Sequence, residues 1–243
     1  MINHFGIKIV EKPKNHINKE LYLSSKPEGI RGWDENSYEL QRIKADINYD
    51  ANLKFFESLD EHKFNKMLNK LVRKFRLKEC KDLKKLDGVN GLYVMVLDKY
   101  KQIYIGITED IKFRIHKGHW TKTKSLERLI YGDMFSSRIS IDSFGSLDTT
   151  RIFYTNTNKD LYLLEEKIVD YASDDYILNR TKGGIGSYST YTDDKQSALL
   201  SAIADRKKRN LIAFTNLKRL EELPKDSIRY YLEKYPELKD YEL

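Results

Sequence analysis

The chain reads as an α+β fold, on three observations. Two short runs with strand character, GLYVMVL (Gly91–Leu97) and QIYIGI (102–107), stand a short polar connection apart. A third run, RIFYTNT (151–157), has the same character. Apolar residues recur at helical spacing upstream, at Phe64, Met67, Leu68, Leu71, Val72 and Phe75, and downstream, at Leu161, Leu164, Ile168, Val169 and Ala172. Strands grouped together, with helices outside them, belong to the α+β class.

In chain order, residues 1–30 hold Pro13, Pro27 and Gly29 and show no long period. They predict irregular chain with one strand near 6–10. Residues 36–58 place Leu40, Ile43 and Ile47 at loosely helical spacing. Asp60 stands where an N-cap belongs, ahead of the Phe64-to-Phe75 stripe, with Lys66, Lys70, Arg73 and Lys74 on the wet side. Asp87-Gly88 and Asn90-Gly91 are turn dipeptides that open a new unit. The two strands follow, joined by Asp98-Lys99-Tyr100-Lys101. Thr108, Glu109 and Asp110 start a short helix that runs to about Lys117, where Gly118 can close it. A further helix is expected over 124–131. The strand at 151–157 and a helix over 161–172 come next, then a loop from Asn179 to Gly186. From about Asp193 the pattern predicts two or three helices, broken near Pro224 and Pro236. The chain so divides into a mainly helical N-terminal extension (1–86), a core (87–183) and a helical C-terminal extension (184–243).

Composition narrows the function classes. No apolar run approaches the ~18 residues of a membrane helix. The first residues, MINHFGIKIVEKPKNH, carry no signal-peptide apolar segment. A single cysteine, Cys80, excludes an internal disulfide and a cysteine-rich zinc site, and the expected compartment is a reducing cytoplasm. The net charge of +7 favours a polyanionic partner. The densest basic cluster, Arg206-Lys207-Lys208-Arg209, reads equally as a solvated helix face or as a set of phosphate contacts.

The chemistry concentrates on the strand pair. Side chains alternate faces along a strand, so Leu92, Val94 and Val96 share one face, as do Ile103, Ile105 and Ile107. If both sets meet in one core, the connecting loop holds an even number of residues, and Tyr93 and Tyr104 project together from the other face. Gly106 lies beside Tyr104 there, leaving room for a backbone or a phosphate to approach. Two strand tyrosines alone would be ordinary for a half-buried sheet. Arg114 follows on the short helix anchored by Ile111 and Ile115, where a guanidinium could meet a phosphate in two-pronged fashion. Glu165 falls inside the apolar arc of the 161–172 helix, whereas Glu166 falls outside it. A carboxylate aimed at a core needs a cation or donors, and either a salt bridge or a divalent metal would serve.

These residues resemble the GIY-YIG nuclease superfamily. Its first motif is similar to Gly91-Leu92-Tyr93, with Leu in place of Ile, and its second to Tyr104-Ile105-Gly106. The family's arginine matches Arg114, its helix glutamate Glu165 and its closing asparagine Asn179. The resemblance covers about residues 87–183. It implies a three-stranded antiparallel sheet flanked by helices, and phosphodiester hydrolysis. It implies Tyr93 as general base on water, Tyr104 orienting that water, Arg114 neutralising the scissile phosphate, and Glu165 as the sole protein ligand of one Mg²⁺ or Mn²⁺ ion. Many members carry a histidine four residues after the arginine; here that place is Gly118, bracketed by His116 and His119. A small distortion at the helix end would let His119 serve. Asn179 has two readings, substrate contact or bracing of the loop backbone. Gly183, Gly184 and Gly186 allow either close phosphate approach or a plain loop exit.

Within the superfamily, a core decorated on both flanks looks most like a stand-alone restriction or defence endonuclease acting on double-stranded DNA. The flanks would then supply recognition. A centre that cuts one strand at a time makes a homodimer the expected device for a double-strand cut at a symmetric site. Three alternatives stay open: a homing or structure-specific nuclease, an RNA nuclease, and a catalytically weak module that binds nucleic acid or protein.

Overall fold

The computed structural model describes residues 1–25, 35–123, 125–129, 131–132, 137–157, 160–179, 230 and 233–234. The chain is mixed helix and sheet, in two compact units. The first is built from residues 1–18, 58–123 and 141–189, and the second from 19–57, 124–140 and 190–243. The basic cluster at 206–209, the glycines 183, 184 and 186, and nearly all of the expected C-terminal helices lie outside the described residues.

The first unit opens with a hairpin, β1 (Ile2–His4) and β2 (Ile7–Ile9), paired antiparallel. Only β2 was expected from sequence. Its turn places Phe5 and Gly6 at φ of 47° and 74°, and a phenylalanine in the left-handed region carries no turn signal. Helix α3 (Glu61–Lys74) starts where expected, with the Asp60 carboxylate accepting a 2.8 Å hydrogen bond from Lys63 N–H.

The main sheet has four strands, all antiparallel, in the order β3 (Lys78–Glu79), β8 (Arg151–Thr155), β4 (Gly91–Leu97), β5 (Gln102–Thr108). Three strands were expected; β3 is the addition, and two residues are too short to show alternation in a sequence. The β4–β5 register pairs Leu92 with Ile107, Val94 with Ile105 and Val96 with Ile103. The four-residue connection, Asp98 to Lys101, ends with Lys101 left-handed at φ 52°. Its even length puts the aliphatic residues of both strands on one face, as the alternation requires. There they meet Phe64, Leu68 and Leu71 of α3 and Ile168 and Val169 of α5 (Leu161–Tyr171) in one buried core. Fully burying such side chains stabilises the unit by roughly 1.5–3 kcal/mol each. The opposite face carries Tyr93, Met95 and Tyr104, and Tyr93 and Met95 are also buried.

After β5, Asp110 caps the next helix by accepting from Phe113 N–H at 2.9 Å. A single α turn, α4 (Ile111–Phe113), passes directly into a π-helical segment, Arg114–Trp120. Gly118 therefore lies within the segment rather than closing it. The Asp160 carboxylate caps α5. Cys80 is buried, and burial pushes its thiol up to about 11, so it stays protonated and inert near neutrality.

The described part of the second unit holds α1 (Lys19–Leu23) and α2 (Glu35–Ser58), the latter matching the expected helix. The helix expected over 124–131 is instead a short 3₁₀ turn, Leu126–Leu129, followed by β6 (Tyr131–Gly132), which pairs with β7 (Ser137–Arg138). Within α2, Asp46 is fully buried and meets Lys19 at 2.7 Å and Lys234 at 2.6 Å. Two cations around one carboxylate satisfy the charge that burial would otherwise disfavour.

Candidate functional site

Tyr93 stands on the central strand β4, and its residue partner across the β5 ladder is Gly106. A Cβ at Gly106 would fall 2.5 Å from the Tyr93 hydroxyl oxygen. The glycine thus clears space for the Tyr93 phenol, which lies across it. It does not leave a channel for phosphate, as the sequence suggested. Tyr104 is half-buried one position along the same face, its ring centroid 6.2 Å from that of Tyr93.

The π-helical segment supplies the next two groups. In an α-helix, residues four apart share a face; in a π-helix, residues five apart do. Arg114 and His119 are five apart and both turn toward the tyrosines. Gly118 makes the arrangement fit, since a Cβ there would press to 3.0 Å of Arg114 Cδ. The five-residue spacing of arginine and histidine fits the wider turn. His119 is 1% exposed, and its Nε2 lies 2.7 Å from the Tyr93 hydroxyl. The imidazole also packs edge-on to Tyr104, at 5.2 Å between centroids. His116, by contrast, packs against Trp120.

Behind His119 stands a residue that the sequence reading did not select. Nδ1 of His119 lies 2.6 Å from a carboxylate oxygen of Asp142. Asp142 belongs to a 3₁₀ turn, Ile141–Ser143, in a stretch with no periodic pattern or motif spacing to single it out. Tyr93, His119 and Asp142 so form a continuous hydrogen-bonded chain.

The electrostatics follow from burial. Desolvation drives the Tyr93 phenol well above its ordinary pKa, and the neighbouring Tyr104 adds to this; Arg114 pulls the other way. Tyr104 is raised for the same first reason, with Arg114 again opposing and Glu165 reinforcing. Burial works against the charge of Arg114, but Tyr93, Tyr104 and Asp142 outweigh it and hold the guanidinium firmly protonated. Part of Arg114 remains exposed. Burial lowers the pKa of His119; Asp142 offsets part of that, and Arg114 and Lys122 add to it. His119 is therefore a neutral imidazole near pH 7.

Glu165 is half-buried rather than core-facing. The apolar arc of α5 is well buried at Ile168 and Val169 but only half-buried at Leu161 and Leu164, so Glu165 lies where the helix emerges from the core. Its carboxylate is near enough to Tyr104 to disfavour the phenolate. Among the described residues, no group of three or more His, Cys, Asp or Glu could hold a metal ion. One partly exposed carboxylate near Tyr104 suits a hard cation that keeps most of its waters, and does not suit zinc.

Asn179 takes the bracing role. Its Oδ1 accepts from Ile105 N–H at 2.9 Å and its Nδ2 donates to the Ile105 carbonyl at 2.8 Å. With Leu178 N–H bonded to the Ile103 carbonyl at 2.8 Å, this segment closes the free edge of β5. Asn179 holds the strand that carries Tyr104.

Comparison of the chain with protein families, with curated proteins and with solved structures finds no match.

Proposed function

We propose that this chain is a magnesium-dependent endonuclease of the GIY-YIG kind, which hydrolyses phosphodiester bonds in double-stranded DNA. In this reading β8, β4 and β5 are the family's three-stranded sheet, and β3 is a short edge addition. The observation that carries the proposal is the Tyr93 hydroxyl, 2.7 Å from His119 Nε2, on the same face as Arg114. A buried phenol with a raised pKa is a poor base by itself. A phenol that can pass its own proton to a neutral imidazole while accepting one from water is a competent base.

The steps follow from the residues. Water, oriented by Tyr104, gives a proton to the Tyr93 oxygen as the Tyr93 proton moves to His119. The water oxygen attacks phosphorus in line with the leaving oxygen, one P–O bond breaks, and the leaving oxygen takes a proton from solvent. Arg114 meets the non-bridging oxygens as their charge rises. Glu165 would hold Mg²⁺ or Mn²⁺, which when bound supplies further positive charge beside the phosphate.

A restriction or defence role belongs to the same proposal and rests on the chain flanking the core. The net charge of +7 supports a polyanionic substrate. The test uses labelled duplexes of DNA and of RNA, identical in sequence, incubated with the protein and Mg²⁺. Cutting of DNA, with Arg114→Ala slower by at least ~100-fold, is the expected result. Cutting of RNA alone would move the substrate to the other sugar. Tight binding with no cutting of either would favour the non-catalytic module.

A further inference from the structure

The Tyr93–His119–Asp142 chain carries one more assignment, which rests on the nuclease reading for its catalytic consequence. We infer that Asp142 is a positioning residue that sets the order of protons along this chain. Its carboxylate fixes His119 with hydrogen on Nδ1, leaving Nε2 open to take the Tyr93 proton.

A neutral imidazole carries one hydrogen, on either Nδ1 or Nε2. An ionised carboxylate only accepts hydrogen bonds. Asp142 lies 2.6 Å from Nδ1, so the hydrogen belongs on Nδ1 and points to Asp142. Nε2 then has a lone pair, and the only hydrogen available for its 2.7 Å contact is that of the Tyr93 hydroxyl. Tyr93 must therefore donate to His119. Its oxygen lone pairs are left facing away from the imidazole; Arg114 donates to one, and the other can accept from water.

The reverse order would disable the site. With hydrogen on Nε2, His119 would donate to Tyr93, and the phenol proton would have nowhere to go. Arg114, which donates to the Tyr93 oxygen, leaves that hydroxyl to donate onward and so supports the order that Asp142 fixes at the imidazole. Tyr104 contacts the imidazole with its ring edge, and Arg114 and Lys122 are cations that disfavour a charged His119. Asp142 also lies where it can stabilise the imidazolium once the proton has arrived. During the step, the proton leaves Tyr93 for Nε2 as water's proton reaches the Tyr93 oxygen. Asp142 keeps its charge throughout and gains no proton.

The test reads the tautomer and the reaction separately, on the full chain. Nitrogen-15 NMR of histidine-labelled protein, with His119→Gln used to assign the signal, reports which ring nitrogen bears hydrogen. Wild type should show hydrogen on Nδ1. Asp142→Ala should shift the population toward Nε2, and Asp142→Glu should restore much of the wild-type signal. In single-turnover cleavage of duplex DNA, Asp142→Ala should lower the maximal rate ~100-fold or more and leave the half-saturating DNA concentration within a few-fold. A merely structural loss would change stability without moving the tautomer. Hydrogen on Nε2 in wild type, or an unchanged tautomer in Asp142→Ala, would overturn the inference. So would a changed tautomer with an undiminished rate. If wild type cuts no nucleic acid but shows hydrogen on Nδ1, the nuclease reading fails and the proton order stands.

Discussion

Tyr93 meets two opposed demands, and its neighbours reconcile them. It must lie deep enough for its ring to be held rigidly, yet burial makes a phenol reluctant to ionise. In the proposed reaction the hydrogen bond to His119 removes the need for a free phenolate, since proton loss and gain occur together. Gly106 then matters for a steric reason. Changing Gly106→Ala would drive a methyl group to 2.5 Å of the Tyr93 oxygen, in a place where the ring is fully buried and has little room to yield. We expect cleavage to fall by roughly 10–1,000-fold as the phenol leaves the imidazole, with DNA affinity in a gel-shift assay nearly unchanged. Wild-type cleavage by Gly106→Ala would contradict the placement of Tyr93 in the reaction. This face of the sheet was largely legible in the sequence, because a period of two and an even loop leave both tyrosines only one place to go. Asp142 was not legible. It meets His119 through a non-repetitive turn, and long-range contacts of that kind leave no period behind. Glu165 was half legible: the helical wheel found its arc but could not tell where along α5 the core ends.

At the level of the element, the π-helical segment is the device that assembles the site. An α-helix would set His119 off to one side of Arg114, and Gly118 would occupy the facing position. Single π turns commonly arise from one extra residue in an α-helix, so deleting Gly118 should relax Arg114–Trp120 to an ordinary helix. Arginine and histidine would then be four apart and still share a face. The deletion should keep a folded protein, judged by circular dichroism, with cleavage within ~10-fold of wild type. By contrast, Gly118→Val should displace Arg114, against which even a Cβ is already tight at 3.0 Å, and slow cleavage more than the deletion does. The edge of β5 offers a second test. Asn179→Ala removes both bonds to Ile105 and should lower stability by ~1–3 kcal/mol in urea unfolding. Cleavage should fall only in parallel with the fraction unfolded. A large loss of rate in a fully folded Asn179→Ala protein would return this residue to the chemistry. The sequence predicted a short helix here closed by Gly118, with a distortion at its end only as the condition for His119 to reach the site. The π geometry itself depends on packing against the sheet, which no local pattern encodes.

For the whole molecule, charge and protonation set the conditions under which the fold and the proposed DNA binding hold. With a net charge of +7, affinity for DNA should fall steeply as salt rises, through displacement of condensed counterions. His4, His116 and His119 all sit below the ordinary histidine value of 6.5, in each case first because of burial. As pH falls through that value, the unfolded chain takes up protons that the folded chain refuses. Stability is therefore fully present above about pH 6.5 and is lost progressively below it. The urea midpoint should be lower at about pH 5 than at about pH 7.5, and an equal or higher midpoint at the acid end would argue against neutral buried imidazoles. Among the described residues, no helix is long and apolar enough to cross a membrane. The mix of helix and sheet was legible because α3, α5, β4 and β5 carry clear periods. β1 and β3 escaped because they are too short, and the turn joining β1 to β2 carries an atypical residue. The central claim is metal-assisted phosphodiester hydrolysis through Tyr93 and Glu165, and the most direct test is cleavage of supercoiled plasmid by purified protein, with and without Mg²⁺. The account predicts nicking or linearisation by wild type only when Mg²⁺ is present, and loss of cutting in Tyr93→Phe and in Glu165→Gln, both still folded. A wild type that never cuts, or two variants that cut as fast as wild type, would contradict it.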